Sequence, residues 1–518
     1  MSLLEVILFL MLNAVVLGWI ARRLRFPYPI ALVIGGGALG FVPKLPEFPF
    51  DPQFILVLVL PPILYQAALL TSWRDFKANI RPISLLAVGL VVVTTLAVGG
   101  TLKVLVPGMP WAAAFALGAI VSPPDAVAAT AILSRLNIPR RVVTVLEGES
   151  LVNDASGLVL YKFAIAAVLT GAFSLLDAGA QFVVVSIGGV AIGVGMALLF
   201  VFVHRHLGDV FIEVLTTLSV PYLAYIFAES LHTSGVLAVV AAGLVRGRYA
   251  PEIVSAEMRI VARSAWNLLV FMLNSLVFIL IGIQLSNITG RLTDYSVAQL
   301  VLDGALVSTV AILVRFGWVY LAIYGPRMLG ERFRRQPAQP EAEVFIMGWC
   351  GMRGIVSLAA ALALPLTLDN GEPFPHRDLI IFLTFVVIAV TLVLQGLTLA
   401  PLIRKLNVGA DWSGHEEEHR AKLALTKAAM AAIDQAARSG QIPDAVAERI
   451  RAEFAEKVTV GVAAGEVLHA RTDPARLLRR AAIEAERREL IRIWRENLIS
   501  DEVLHQLEED LDYQESRL

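Results

Sequence analysis

The sequence predicts an all-α polytopic membrane protein that carries a polar helical tail, and three observations support this. Of 518 residues, 57% are hydrophobic and only 17% are charged, against about 45–50% and about 25% in a soluble domain. The mean hydropathy is +0.71. The charge is also uneven, with 38 of the Asp, Glu, Lys and Arg residues gathered in positions 411–518. A water-facing fold of this size cannot bury so much apolar side chain, which excludes an ordinary soluble enzyme. The expected division is a membrane-embedded region over 1–409 and a cytosolic tail over 410–518.

A spanning helix needs about 20 mostly apolar residues. Thirteen stretches approach or exceed that: 3–20, 30–42, 54–70, 83–106, 111–133, 142–169, 182–203, 211–231, 234–245, 266–285, 300–323, 344–364 and 379–399. The first is followed, not preceded, by Arg22, Arg23 and Arg25. A secretory signal has the reverse order, so a retained first helix is expected. Basic residues gather after the odd-numbered stretches: Arg74, Lys77 and Arg81 after the third, Arg135, Arg140 and Arg141 after the fifth, and Arg205 after the seventh. Arg246 and Arg248 follow the ninth, Arg327, Arg332, Arg334 and Arg335 the eleventh, and Arg404 and Lys405 the thirteenth. That alternation places the N-terminus outside and the tail in the cytoplasm.

The tail alternates apolar and charged residues at helical spacing, with turns expected at Gly414, at Gly440 with Pro443, and at Asp473-Pro474. Three or four amphipathic helices follow, read as a solvated appendage, with a regulatory or dimer-supporting role as the alternative. The net charge of −1 offers no field for nucleic acid. The lone Cys350 excludes an intramolecular disulfide and a cysteine-based metal cluster. Neither Gly-x-Ser-x-Gly nor His-Glu-x-x-His occurs, so neither enzymatic activity nor a resident cofactor is expected.

Charged side chains at bilayer depth cost at least about 2.5–3.5 kcal/mol each, which makes them functional candidates. The fifth stretch contains Ser122-Pro123-Pro124-Asp125-Ala126. Two mid-span prolines leave carbonyls unpaired, and these must face protein or a wet cavity. Free carbonyls of the preceding turn beside the Asp125 carboxylate make an oxygen-rich cation site; the alternative is a kinked packing helix capped by Asp125. In the sixth stretch, Ser150, Asn153 and Asp154 share one helix face and present hard oxygen donors suited to Na⁺, K⁺ or Li⁺. A carboxylate away from water holds a proton more readily, so Asp154 is also a candidate proton carrier. Lys162, further along, is long enough to snorkel to the outer surface. Arg315 lies mid-span in the eleventh stretch, and Glu149 is its most economical partner. Arg353 lies among Gly348, Gly351 and Gly354 in the twelfth. Interrupted spans at matching places in the two halves point to an inverted-repeat transporter with a midplane site.

These residues, in this order, resemble the monovalent cation/proton antiporters of the NhaP and sodium/proton exchanger type. The likeness covers Leu60-Pro61-Pro62, the Asp125 break, 148–154, Ser234-Gly235-Val236-Leu237-Ala238, Arg315, Gly351-Met352-Arg353-Gly354, and Gln395-Gly396-Leu397-Thr398 with Pro401. The resemblance implies thirteen spans in two inverted six-helix repeats with crossed broken helices, and a core domain that moves against a dimerisation domain. It implies a homodimer in the plasma membrane that exchanges Na⁺, or Li⁺ or K⁺, for H⁺ by alternating access, electroneutrally, in the service of pH homeostasis. By motif position, Asp154 would bind cation or proton and Asn153 would organise the crossing. Asp125, Ser150 and the Pro124 carbonyl would add ligands, Glu149 with Arg315 would be a structural ion pair, and Arg353 the charge at the broken helix. A K⁺-preferring antiporter and an uncoupled cation channel are the alternatives. Two departures stand out: Pro124-Asp125-Ala126 replaces the family's frequent Thr-Asp-Pro, and Gln66 stands where an acidic residue is common.

Overall fold

The computed structural model describes residues 3–23, 26–40, 55–133, 136, 138–171, 175–289, 292, 295–329, 339–368, 371–408, 413–439, 443–459 and 474–515. Arg25, Arg135, Arg332, Arg334, Arg335, Gly440 and Asp473 lie outside them.

The described chain is helical, with a single β-bridge between Thr367 and Pro373. The membrane part runs α1 (Leu3–Arg23), α2 (Tyr28–Gly40), a π turn Ile55–Val59 leading into α3 (Leu60–Leu70), the short α4 (Trp73–Ala78) and α5 (Ile80–Leu105). It continues through α6 (Trp111–Val121), α7 (Ala126–Leu133), α8 (Arg140–Thr170), α9 (Leu175–His204), α10 (Val210–Ser230), α11 (Gly235–Ile253), α12 (Ala256–Thr289) and α13 (Val297–Leu329). The half-helices α14 (Glu341–Trp349) and α15 (Ile355–Leu362) and the long α16 (Arg377–Lys405) complete it. The described part of each apolar stretch falls on helical structure, which at the fifth and twelfth is split into two half-helices. Among the described residues, seven helices are long and apolar enough to cross a membrane.

Local chemistry sets the ends of these helices. Side chains cap α4, α10 and α11: Ser72 accepts from Asp75 N at 3.1 Å, Asp209 from Phe211 N and Ile212 N at 2.9 and 3.0 Å, and Ser234 from Leu237 N at 3.2 Å. Gly171, at φ 69°, closes α8 in the left-handed conformation. Exposed apolar residues such as Leu12, Val184, Phe202, Phe211 and Leu313 make the outward faces lipid-like. Inside, α2 crosses α12 where Gly36 and Gly282 let the backbones meet. Helices α9, α10 and α11 pack on one another, and α3 packs on α10 and α11; α8 packs chiefly on α5 and α6. A π-helical segment, Leu85–Leu90, interrupts the regular hydrogen bonding of α5, and the Leu85 carbonyl takes Trp318 Nε1 from α13 at 2.8 Å.

The tail departs from the expected solvated appendage. It forms α17 (Ser413–Arg438), α18 (Asp444–Thr459), α19 (Pro474–Arg495) and α20 (Asp501–Glu515) around an apolar core that includes Leu425, Ile433, Phe454, Leu490 and Leu504. Gly414 lies inside α17 rather than at a turn. One face of the tail docks on the membrane part. Arg259, near the start of α12, donates to both Asp512 oxygens at 2.8 and 2.7 Å, and Asp512 and Glu508 are both 2% exposed. Arg140, the first residue of α8, reaches Glu417 at 3.0 Å and Glu502 at 2.6 Å. Arg74 donates to the Ile499 carbonyl at 3.2 Å, and Arg495 pairs with Glu252 at 2.8 Å. The sequence could not separate this face from a solvated one, because acids spaced four apart on a helix look the same in both settings.

Removing one partner of an isolated buried pair costs about 3–5 kcal/mol. Asp512 keeps Arg487 at 3.0 Å as a second partner, so loss of Arg259 costs less than that and acts on the docking rather than on the tail's own fold. Arg259→Ala should therefore loosen α20, so that limited proteolysis cuts the tail severalfold faster while the membrane part stays intact. A cleavage rate equal to wild type would show that docking does not depend on this pair.

Candidate functional site

Two helices break at the same place in the fold. Helix α6 stops at Val121 and α7 resumes at Ala126; α14 stops at Trp349 and α15 resumes at Ile355. The breaks meet back to back, with Asp125 N donating to the Met352 carbonyl at 2.7 Å. The Asp125 carboxylate serves both new helix starts, as Oδ1 accepts from Val127 N at 2.8 Å and Oδ2 from Ile355 N at 3.4 Å. Arg353 serves both helix ends: Nε donates to the Val121 carbonyl at 2.8 Å, and Nη1 to the Gly351 carbonyl. Its own backbone N–H reaches Thr391 Oγ1 at 3.0 Å, at a π turn in α16. A negative group thus sits at two N-termini and a positive one at two C-termini, the favourable sign at every dipole end. Any side chain on Gly354 would collide with Asp125 Oδ2.

Helix α8 runs unbroken beside this crossing. Asn153 Nδ2 donates to the Pro124 carbonyl at 3.1 Å, while its Oδ1 is buried without a hydrogen-bond partner. Gly157, one turn on, leaves room for the Pro123 ring. Asp154 is 6% exposed and stands near enough to Asp125 for the two carboxylates to repel. Ser150 is half-buried one turn before Asp154. Among the described residues Asp154 has no basic partner, whereas Glu149, its neighbour in the cluster, has one. Arg315 of α13 donates to both Glu149 oxygens at 2.6 and 2.9 Å and to the Met347 carbonyl at 3.1 Å. Glu149 and Arg315 are 1% and 0% exposed.

Hydrogen bonds therefore gather Pro124, Asp125, Asn153 and Arg353 at one crossing, with Asp154 next to Asn153 on α8, Ser150 one turn before it, and the Glu149–Arg315 pair alongside. Sequence reasoning missed Thr391, whose hydroxyl is legible only once the π turn is seen. Lys162, expected to snorkel outward, is largely exposed and also pairs with Glu229 at 3.0 Å, a partner the sequence did not name. Gln66 donates to Asn267 Oδ1 of α12 at 3.1 Å, a neutral contact at a position where charge was the family expectation. The cradle is hard and oxygen-rich, with a carboxylate that lacks a counter-charge, and it suits a small monovalent cation or a proton better than any soft metal.

The Glu149–Arg315 pair is dry and bidentate, so each residue depends on the other. Glu149→Gln and Arg315→Met should each lower thermal stability, by about 3–5 kcal/mol, and the double change should cost less than the sum. Additive losses in that cycle would contradict the coupling.

Comparison with known proteins identifies the family to which this fold belongs. A transmembrane family described as sodium/hydrogen exchanger matches residues 10–405. A Mycobacterium bovis protein named as an uncharacterized Na⁺/H⁺ exchanger is 34% identical, over 99% of this chain and 96% of its own length. A sodium, potassium, lithium and rubidium/H⁺ antiporter of Bacillus pumilus is 36% identical, over 73% of this chain and 58% of its own. The sodium proton antiporter MjNhaP1 of Methanocaldococcus jannaschii shares the fold, with a TM-score of 0.63 at 21% identity, over 78% of this chain and 99% of that one. With its broken-helix crossing and all-helical membrane fold, the chain is an integral membrane transporter, not an enzyme, and belongs to the sodium/hydrogen exchanger family.

Proposed function

We propose that the protein exchanges Na⁺ for H⁺ by alternating access, one for one, as a homodimer in the plasma membrane with its N-terminus outside and its tail in the cytoplasm. Residues 1–409 form the transporting unit and 410–518 the tail. The observation that supports this reading most is Asp154, a buried carboxylate with no basic partner among the described residues, held beside a second carboxylate and the unpartnered Oδ1 of Asn153. Such a group requires a counter-charge, which either a cation or a proton supplies, and competition between the two couples their fluxes. Asn153 holds the crossing in place. Ser150, the Pro124 carbonyl and the remaining lone pairs of Asp125 complete an oxygen set around the ion. Arg353 and the Glu149–Arg315 pair keep the surrounding charge balanced.

Asp154→Asn should abolish Na⁺-driven proton flux in proteoliposomes while the protein stays folded, since the amide keeps the shape and removes the titrating charge. Flux retained in that variant would remove Asp154 from the mechanism. Relatives are named for several monovalent cations, so the assay belongs on a panel of Na⁺, Li⁺, K⁺ and Rb⁺; a response to K⁺ alone would make the protein a K⁺-preferring exchanger.

A shared site also has a pH signature. Below the pKa of the site, each unit of acidification should weaken apparent cation affinity about tenfold, because the free carboxylate falls tenfold. The rate measured at symmetric pH, from about 5 to 9, should be bell-shaped, and raising Na⁺ should move its acidic limb to lower pH. An uncoupled channel or a separate proton path predicts a limb that stays where it is.

A further inference from the structure

Helix α8 carries Asp154 midway along and a charged residue toward each end. Arg140 begins it, and Lys162 lies eight residues beyond Asp154, about 12 Å along the axis. Arg140 is held by the tail, so Lys162 faces the opposite side of the membrane. There its Nζ meets Glu229 Oε2 at 3.0 Å and Oε1 at 3.3 Å. The surroundings of Glu229 are firmly built. It is the penultimate residue of α10, and its Oε1 also accepts from Gly235 N, the first residue of α11, at 3.3 Å. Thr233 Oγ1 donates to the Ala228 carbonyl at 2.9 Å, Ser234 caps α11, and Ser234 N donates to the Val185 carbonyl of α9 at 3.2 Å. The α10–α11 turn is thus fixed to three helices that pack mainly on one another.

The join between that bundle and α8 is of a different kind. Leu151 and Ala155 of α8 share an apolar cluster with Leu64 and Tyr65 of α3, Val220 and Ala224 of α10 and Val239 of α11. Such an apolar seam allows sliding, and the Lys162–Glu229 pair is a polar contact at its outer end. We propose that Lys162 and Glu229 form an outer latch. The pair closes α8 against the α10–α11 turn while Asp154 is open to the cytoplasmic side, and it must part before Asp154 is exposed to the outside. Both are positioning residues: neither touches the ion. The proposal rests on the exchange reading above.

The test is cross-linking in proteoliposomes. In the double variant Lys162→Cys with Glu229→Cys, a reducible thiol-specific cross-linker should abolish Na⁺-driven proton flux, and reduction should restore it. The native Cys350 is buried, so the single-cysteine variants treated in the same way should keep their flux. Full exchange in the cross-linked protein would overturn the latch. A second measurement does not need the cysteine pair to fold. A partly exposed ion pair is worth about a 1.5- to fivefold shift in an equilibrium, so Lys162→Gln and Glu229→Gln should each tighten apparent Na⁺ affinity from the outside by that factor. The double change should add nothing to either single one. Independent, multiplying effects, or none, would also overturn the proposal. Wild-type protein run in parallel separates the two readings. No exchange in wild type defeats the exchange reading, and the latch with it. Normal exchange in wild type with an ineffective cross-link defeats the latch alone.

Discussion

A helix interrupted inside a membrane leaves backbone groups that lipid cannot satisfy, and the rest of this structure depends on how those groups are settled. The settlement is mutual. Asp125 closes the N-terminal ends of α7 and α15, Arg353 the C-terminal ends of α6 and α14, and one main-chain hydrogen bond from Asp125 to Met352 joins the breaks. Neither break would be stable without the other. The glycine at 354 follows from the same constraint, since the carboxylate occupies the space a side chain would fill. The prolines open the α6–α7 break, and the glycines let the second break close around it.

Charge accounting then singles out Asp154. Glu149 is neutralised by Arg315 with two short hydrogen bonds. The charges of Asp125 and Arg353 are spent on helix ends of the appropriate sign. What remains at the crossing, among the described residues, is one carboxylate without a basic neighbour. A site that must bind and release its counter-charge needs this imbalance, because a permanent partner such as Arg315 would never leave. The unbroken α8 matters for the same reason, as it holds Asp154 on a rigid element while the irregular backbone lies on the facing helices.

Much of this was legible in the sequence, for physical reasons that apply residue by residue. Apolar length marked the spans, and Pro123-Pro124 and Gly351 to Gly354 marked the breaks, because such residues are tolerated at bilayer depth only under strong constraint. Glu149 and Arg315 had to meet, since neither has an affordable alternative in a dry interior. The double capping by Asp125 was harder to see. Its position two residues before Val127 fits a helix start, but its second acceptor role depends on Ile355, which lies 230 positions away. The π turn that presents Thr391 leaves no mark in apolar periodicity. The docked tail was misjudged because Glu508 and Asp512 are ordinary surface residues until Arg259 is placed against them.

The placement of contacts along α8 links these features. Its 31 residues span about 46 Å, enough to reach through the hydrocarbon layer to both faces. One end is tied by Arg140 to the tail, which also grips α12 through Arg259. The other end is tied by Lys162 to the α10–α11 turn. Between them the helix meets its neighbours through apolar seams, Asn153 on the Pro124 carbonyl, and the buried Glu149–Arg315 pair. The buried contacts bind α8 to the helices of the crossing, whereas its more exposed, terminal contacts reach the tail at one end and the α10–α11 turn at the other. Strong, dry interactions hold a unit together and weaker, wetter ones let it change partners. In the proposed exchange, neutralising Asp154 acts on the middle of a rod already rigid toward the crossing, and the exposed contacts at its ends are the ones that can yield.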